Sequence, residues 1–239
     1  MLVEQSVIMA FSVIPEPDLE RLQLSWGIRS FRKGQLVYSE GRVIDEVLVV
    51  VTGHLLSYRL TTEGKSCTLR TIGAGDFIGE EDLLDGKGTE GYVKSVTESR
   101  CLVIPQNGYE ALLLHYPTFA RLRFVEMSRR LKTAERMMQE LAYSTVKQRI
   151  LLILTKLASE IGKARSDGLE LTFNWSHHDL ASMVGSTRET VTNTLSLLQK
   201  EGLIKMEGKR MMIAQQASSG VAHIQYGRQD HHSLREFPR

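Results

Sequence analysis

The sequence contains little cysteine and no long hydrophobic run. Its two cysteines, Cys67 and Cys101, are too few to hold an iron–sulfur cluster through four thiolates, and they suit a reducing compartment. No apolar stretch approaches the roughly 20 residues that a membrane-spanning helix needs. Residues 1–5 lack the basic region and apolar core with which a secretory signal begins. We therefore expect a cytoplasmic protein that has no membrane partner.

An excess of charge of one sign is also missing. The 30 lysines and arginines nearly balance the 28 aspartates and glutamates, leaving a formal net charge of +2, so any basic surface for nucleic acid must be local. The sequence lacks a nucleophile–base spacing, a paired-carboxylate motif and a glycine loop ending in Lys-Ser or Lys-Thr, and we do not expect an enzyme. With 42% hydrophobic residues among 239, the chain can form two ordinary globular domains.

Short β-type runs separated by glycines fill residues 28–104. The clearest of these runs are 47–51, 67–72 and 101–104. Strands at this spacing predict a small antiparallel barrel or sandwich. Gly64, within 62–65, predicts a hairpin tip because glycine readily adopts the positive φ of such turns. Leu19, Leu22 and Trp26 fall at helical spacing, which predicts a helix over 15–26.

A long amphipathic helix is predicted over 117–143, where apolar residues recur at three- and four-residue steps. A helix of this length cannot bury its whole apolar stripe against one small barrel, so a second copy of the helix is the expected partner. The residues expected at that dimer contact are Phe119, Leu122, Leu131, Met138 and Leu141. The alternative is a helix that packs only on its own domain.

The rest of the chain predicts a winged helix-turn-helix domain. A helix over 146–161 and a strand over 170–175 lead to two short helices that Gly185 separates, and a β-hairpin wing follows, with 203–206 pairing with 210–213. Beyond Gln215 we expect a disordered tail. The predicted fold class is therefore α+β. Its predicted segments are an antiparallel β domain (1–116), a dimerisation helix (117–143), a DNA-binding domain (144–214) and a tail (215–239).

The second helix of this motif has one side suited to reading DNA. Arg188, Glu189, Thr192 and Asn193 can hydrogen-bond to base edges in a major groove. For Glu189 an alternative is a capping box with Ser186, in which it only stabilises the start of the helix. The residues expected to contact phosphates are Ser176, Ser186, Thr187, Thr190, Lys205, Lys209 and Arg210. We do not expect a metal site at 177–179, because adjacent side chains on a helix point apart.

Taken together, these motifs resemble those of the CRP/FNR family of bacterial transcription regulators. The residues that carry the resemblance are Gly34, Gly41, Gly53, 75–80, 141–143 and 185–191. The family implies a β-roll sensor of the cyclic-nucleotide-binding type, a homodimer, binding of double-stranded DNA at a palindromic promoter site, and contact with RNA polymerase. In its cAMP-binding branch, the Arg-Glu pair that matches Arg188 and Glu189 reads a G·C-rich core. The position of Asn193 usually holds arginine there, so the resemblance implies an altered half-site.

The sensor departs further from the cAMP-binding branch. Gly79 and Glu80 match it, but Glu90 or Tyr92 stands near the place of the phosphate-binding Arg-Ser pair, and the adenine-binding hydroxyls are replaced by Ala134 and Glu135. These six residues define the candidate effector pocket. Because a carboxylate repels phosphate, we do not expect cAMP.

The sequence leaves several candidates for the signal that the β domain senses. The cysteine cluster of the oxygen-sensing branch is missing, so an iron–sulfur cluster is not expected. A small-molecule effector, haem at His54 or His115, redox change at Cys67 or Cys101, and no ligand at all remain. A rival function is a small-molecule-binding or redox-sensing module whose winged helix serves protein contacts.

Overall fold

A computed structural model describes residues 10–23, 26–165, 168–171, 175–207 and 210–214. These residues form two compact units, one ending at Glu135 and the other beginning at Arg136, so the boundary falls inside the longest helix. The predicted tail and Lys209 lie outside the described residues. None of the helices that the structure describes is long and apolar enough to cross a membrane.

The first unit contains eight short strands in two four-stranded sheets. The strands are β1 (Gly27–Phe31), β2 (Leu36–Tyr38), β3 (Glu46–Thr52), β4 (Leu55–Leu60), β5 (Ser66–Ile72), β6 (Phe77–Ile78), β7 (Tyr92–Ser95) and β8 (Ser99–Pro105). One sheet has the order β1-β8-β3-β6 and the other the order β2-β7-β4-β5, and all paired strands are antiparallel. This arrangement confirms the predicted β-roll.

The strand sequences explain this packing. Residues 46–51 of β3 are all buried, as expected for a strand covered on both faces. Gly53, at φ 90°, ends β3 where an added Cβ would lie 2.3 Å from the Ser99 Oγ, so a side chain does not fit there. Gly64, at φ 76°, forms the predicted tip between β4 and β5.

Among the described residues, four helices accompany the roll: α1 (Glu16–Gln23), α2 (Glu80–Asp85), α3 (Gln106–His115) and α4 (Pro117–Tyr143). Helix α1 is shorter than the predicted 15–26. Trp26 lies outside it, directly before β1, where its ring packs 5.2 Å from that of Phe11 in the core. Burial of the indole, rather than helical spacing, determines the position of Trp26.

Helix α4 has the predicted bounds, but its apolar stripe divides into two parts. Phe119 was expected to face a partner helix, and this prediction is wrong. Its side chain is fully buried among Phe11, Phe77 and Tyr109 in the core of the roll. The other residues expected at the dimer contact are exposed by 40–67% in the single chain: Leu122, Leu131, Met138 and Leu141.

The described residues of the second unit combine the end of α4 and three further helices with a four-stranded sheet. The helices are α5 (Val146–Ile161), α6 (His177–Val184) and α7 (Arg188–Lys200), and the strands are β9 (Lys163–Arg165), β10 (Gly168–Leu171), β11 (Ile204–Glu207) and β12 (Arg210–Ala214). The sheet order is β11-β12-β10-β9.

The strand predicted over 170–175 begins earlier, at Gly168, because β10 pairs with both β9 and β12. Trp175 is instead a buried residue ahead of α6, while 172–174 lie outside the described residues. The wing is therefore part of a four-stranded sheet and not an isolated hairpin.

Candidate nucleic-acid interface and sensor

Helices α6 and α7 form the helix-turn-helix. Ser176 caps α6, because its hydroxyl accepts a hydrogen bond from the Asp179 N–H at 3.1 Å. Gly185 ends α6 in the left-handed conformation, at φ 61°. An added Cβ at Gly185 would lie 3.1 Å from Leu141 Cδ2, so a larger residue would be crowded as well as strained. Glycine thus permits both the turn and the contact with the end of α4.

One face of α7 is buried and the opposite face is open. Val191, Leu195 and Leu198 are at most 5% exposed and hold the helix on its domain. Arg188, Glu189 and Asn193 are exposed. Because residues four apart on a helix are neighbours, Asn193 lies one turn after Glu189 on that open side. The three polar side chains are therefore available to a DNA groove.

Thr192 differs from the other three predicted base-reading residues. It is half-buried, and its hydroxyl donates to the Arg188 carbonyl at 2.8 Å. The same oxygen lies 2.8 Å from Nδ1 of His177 at the start of α6. The hydroxyl of Thr192 is therefore hydrogen-bonded within the helix-turn-helix, and its methyl group remains available to contact a base.

The start of α7 also differs from the capping box considered for Ser186 and Glu189. The N-cap is Thr187, whose hydroxyl accepts from the Thr190 N–H at 3.2 Å. The Glu189 carboxylate accepts hydrogen bonds from its own backbone N–H and from Thr187, which together lower its pKa. Glu189 is therefore ionised at the N-terminus of α7, where negative charge is favourable.

Five of the seven residues predicted to contact phosphates already have protein partners. The hydroxyls of Ser176, Thr187 and Thr190 take part in the two helix caps. On the wing, Lys205 pairs with Glu207 at 2.6 Å, and Arg210 lies 3.5 Å from Glu170. Phosphate contact by the wing would therefore exchange one ion pair for another. Ser186 is half-buried behind the turn.

In the roll, the carboxylate of Glu80 is completely buried and held by the chain itself. Tyr109 donates a hydrogen bond to its Oε2 at 2.8 Å, and Arg130 Nη1 of α4 lies 2.8 Å from its Oε1. Although burial acts to lower the pKa of Arg130, the charges of Glu80 and Glu81 outweigh it and raise the pKa. Arg123 lies over the Phe77 ring at 3.9 Å and 4.0 Å from Glu80. Glu80 therefore links α2 to α4.

The other residues of the candidate effector pocket are less closely grouped. Gly79, at φ 88°, precedes Glu80 and packs near Tyr38, where an added Cβ would lie 3.2 Å from the ring. Glu90 is exposed and pairs with Arg59, and Tyr92 stacks on Tyr58 at 5.3 Å. On α4, Ala134 and Glu135 are exposed. Thus Glu80 contacts α4 through Arg130, one helical turn before Ala134.

Sequence reasoning missed Arg123, Arg130 and Tyr109 as partners of Glu80. In the sequence, Arg123 and Arg130 are two of the charged residues that lie between the apolar positions of α4. Their spacing of seven residues was the available signal, because it puts both on one face of a helix. The sequence does not say which carboxylate would lie opposite that face, since Glu80 is brought there by the turn at Gly79.

The alternative sensing residues have ordinary structural surroundings. Cys101 is fully buried in β8, and burial raises the pKa of its thiol to about 12. Cys67 is exposed on β5. His54 follows β3, and burial lowers the pKa of its imidazole. His115 is the last residue of α3.

An antiparallel roll followed by a long helix and a winged helix-turn-helix defines a class of DNA-binding transcription regulators with a sensor-type domain. Residues 28–116 match the cyclic nucleotide-binding domain family, and residues 148–217 match the Crp-like helix-turn-helix domain family. The chain belongs to the CRP/FNR family of transcription regulators. This confirms the family resemblance, the fold class and the DNA-binding motif.

Three relatives illustrate the match. The chain is 30% identical to the probable transcriptional regulator flp of Lacticaseibacillus casei over 185 residues, which are 77% of this chain and 82% of that protein. It is 24% identical to the CRP-like cAMP-activated global transcriptional regulator of Mycobacterium tuberculosis, over 77% of this chain and 82% of that protein. The structure of FixK2 from Bradyrhizobium japonicum superposes with a TM-score of 0.72 at 22% identity, covering 82% of this chain and 96% of that one, which supports the fold.

Proposed function

We propose that the chain is a homodimeric transcription activator that binds a palindromic promoter site in the cytoplasm and contacts RNA polymerase there. Each protomer places α7 in the major groove of one half-site. The observation that carries this proposal is the open side of α7, where Arg188, Glu189 and Asn193 are exposed while Val191 and Leu198 anchor the helix from behind.

The chemistry of these side chains indicates the bases that they read. Arg188 can donate two hydrogen bonds to O6 and N7 of guanine. Asn193 can exchange two hydrogen bonds with adenine N6 and N7. Glu189 is an acceptor that suits the N4 amine of cytosine. We therefore propose a half-site in which a G·C-rich core is followed by a contact to adenine.

The homodimer is supported by the exposed stripe of α4. Leu131 and Met138 are seven residues apart and more than 60% exposed in the single chain. A spacing of seven residues is that of a paired helix, which buries such side chains against a second copy. A dimer with a two-fold axis would bind an inverted repeat.

DNase footprinting after selection of bound sequences from a random library tests this function. The expected result is one protected inverted repeat, with two half-sites about one helical turn apart. Arg188→Ala should weaken binding to that site and relax the preference at one base pair, at a cost of about 1–3 kcal/mol per contact. Gln199→Ala, an exposed change near the other end of α7, serves as the control. Selection of no inverted repeat, or equal behaviour of the two variants, would contradict the proposal.

A further inference from the structure

A single arginine of the second unit connects helix α5 to the ends of α4 and α6. Arg149 lies in the first turn of α5 and is half-buried. Its Nη1 donates to the carbonyl of Ser144, the residue that follows the end of α4, at 2.7 Å. Its Nε donates to the carbonyl of Val184, the last residue of α6, at 2.8 Å. One guanidinium therefore connects the ends of α4 and α6.

These two carbonyls are groups that a helix cannot satisfy by itself. The last carbonyls of a helix have no intrahelical N–H partner, and the helix dipole makes them favourable sites for a cation. A guanidinium has several donors in a fixed planar arrangement, so it can serve both carbonyls at once, whereas a lysine ammonium is a compact point charge on a flexible stem. The geometry therefore depends on arginine and not on positive charge alone.

A second contact reinforces the same corner. Leu141, in the last turn of α4, lies so close to Gly185 that an added Cβ there would approach its Cδ2 to 3.1 Å. The turn between α4 and α5 is itself held by a capping box, in which Thr145 and Gln148 bond each other's backbone. The end of α4 is thus held against the turn of the helix-turn-helix, and α7 begins at Arg188, three residues beyond Gly185.

From this arrangement we infer that Arg149 is a positioning residue that sets the direction of α7 relative to the end of α4. The inference rests on the proposed function. In a dimer paired through α4, the two Arg149 side chains would determine the separation of the two α7 helices. DNA requires that separation to match about 34–36 Å for adjacent turns of the major groove. Arg149 would therefore select the spacing between half-sites without touching DNA.

Binding to a series of inverted repeats that differ by single base pairs in the spacing of their half-sites tests this role. For the unchanged protein we expect one preferred spacing. Arg149→Leu should reduce the preference for that spacing over its neighbours by about tenfold, since a hydrogen bond from a charged donor is worth a factor of this order. Arg149→Lys can donate to one of the two carbonyls, so its spacing preference should lie between those of the unchanged protein and Arg149→Leu. Base preference within each half-site should stay unchanged in both variants.

The matched control is Arg165→Leu, which removes an arginine of β9 that pairs with Glu170 in the same unit. It should keep the original spacing preference. Circular dichroism at the assay temperature checks that each variant is folded, and Arg149→Lys provides the readout if Arg149→Leu does not fold. An unaltered spacing profile in the folded Arg149 variants would overturn the role of Arg149 alone. Failure of the unchanged protein to prefer any inverted repeat would overturn the proposed function, and this inference with it.

Discussion

Several polar side chains that could contact a ligand already contact other residues of the protein. The Thr192 hydroxyl hydrogen-bonds to the Arg188 carbonyl and to His177, and Glu80 accepts a hydrogen bond from Tyr109 and forms an ion pair with Arg130. The residue types of Thr192 and Glu80 suggested contacts with DNA and with an effector. Their packing assigns the polar atoms of both to structural bonds.

The Thr192 hydroxyl can be tested with an isosteric change. Thr192→Val keeps the methyl group and removes the oxygen, so we expect an unchanged order of preference among bases. Affinity for all sequences should fall together, by no more than about tenfold, the value of one or two ordinary hydrogen bonds. Asn193→Ala is the comparison, and it should alter the preference at one position. Fluorescence anisotropy across a set of single-base operator variants measures both, and a new base preference in Thr192→Val would contradict the prediction.

Glu80 leads to a prediction about cAMP. Its carboxylate already accepts a hydrogen bond from Tyr109 and forms an ion pair with Arg130, and Glu90 places a carboxylate near the position of the phosphate-binding pair, so we propose that cAMP does not bind to the roll. A bound ligand at 100 times its Kd would stabilise the fold by about 2.7 kcal/mol. We expect no change in melting temperature with cAMP, whereas an operator duplex should raise it in the same assay. A rise at micromolar cAMP would contradict this prediction.

At the scale of the elements, the long helices were predicted from sequence more accurately than the short strands. Helices α4 and α5 have the predicted bounds, because a period of 3.6 repeated over many residues is unambiguous. Strand β9 was missed, since three exposed residues carry no periodic signal. Trp26, the predicted last residue of α1, lies instead outside the helix and in the core. Tertiary packing therefore sets the bounds of the short elements, whose sequence patterns are too short to predict them.

Helix α4 also carries the prediction for the dimer. Leu131 is 62% exposed in the single chain, and Leu131→Glu should place two carboxylates at the helix pair. Since burying a leucine is worth about 1.5–3 kcal/mol in each copy, the dimer should weaken by at least about 100-fold. Lys132→Glu introduces the same residue at the next position and should leave the dimer intact. Sedimentation equilibrium measures the association, and a dimer unaffected by Leu131→Glu would exclude this face.

For the whole molecule, a net charge of +2 means that DNA affinity must come from local cations. The logarithm of affinity falls with the logarithm of salt in proportion to the phosphates contacted. Lys205→Met on the wing should reduce the slope of log affinity against log salt by about 1 per protomer. It should weaken binding to all DNA sequences to the same extent. Lys87→Met, which removes a lysine paired with Asp85 in the roll, is the control and should leave the slope unchanged. A slope unaffected by Lys205→Met would remove Lys205 from the DNA contact.

The sequence by itself determined the order of the parts and the face of α7 that can meet DNA. Hydrophobic period, glycine position and residue type are local properties, and they were sufficient for α4, for the turn at Gly185 and for exposed Arg188 and Asn193. Only the tertiary structure decided the partners across the fold. Glu80 meets Arg130, and Arg149 meets Val184, because contacts between residues distant in the chain depend on how whole elements pack.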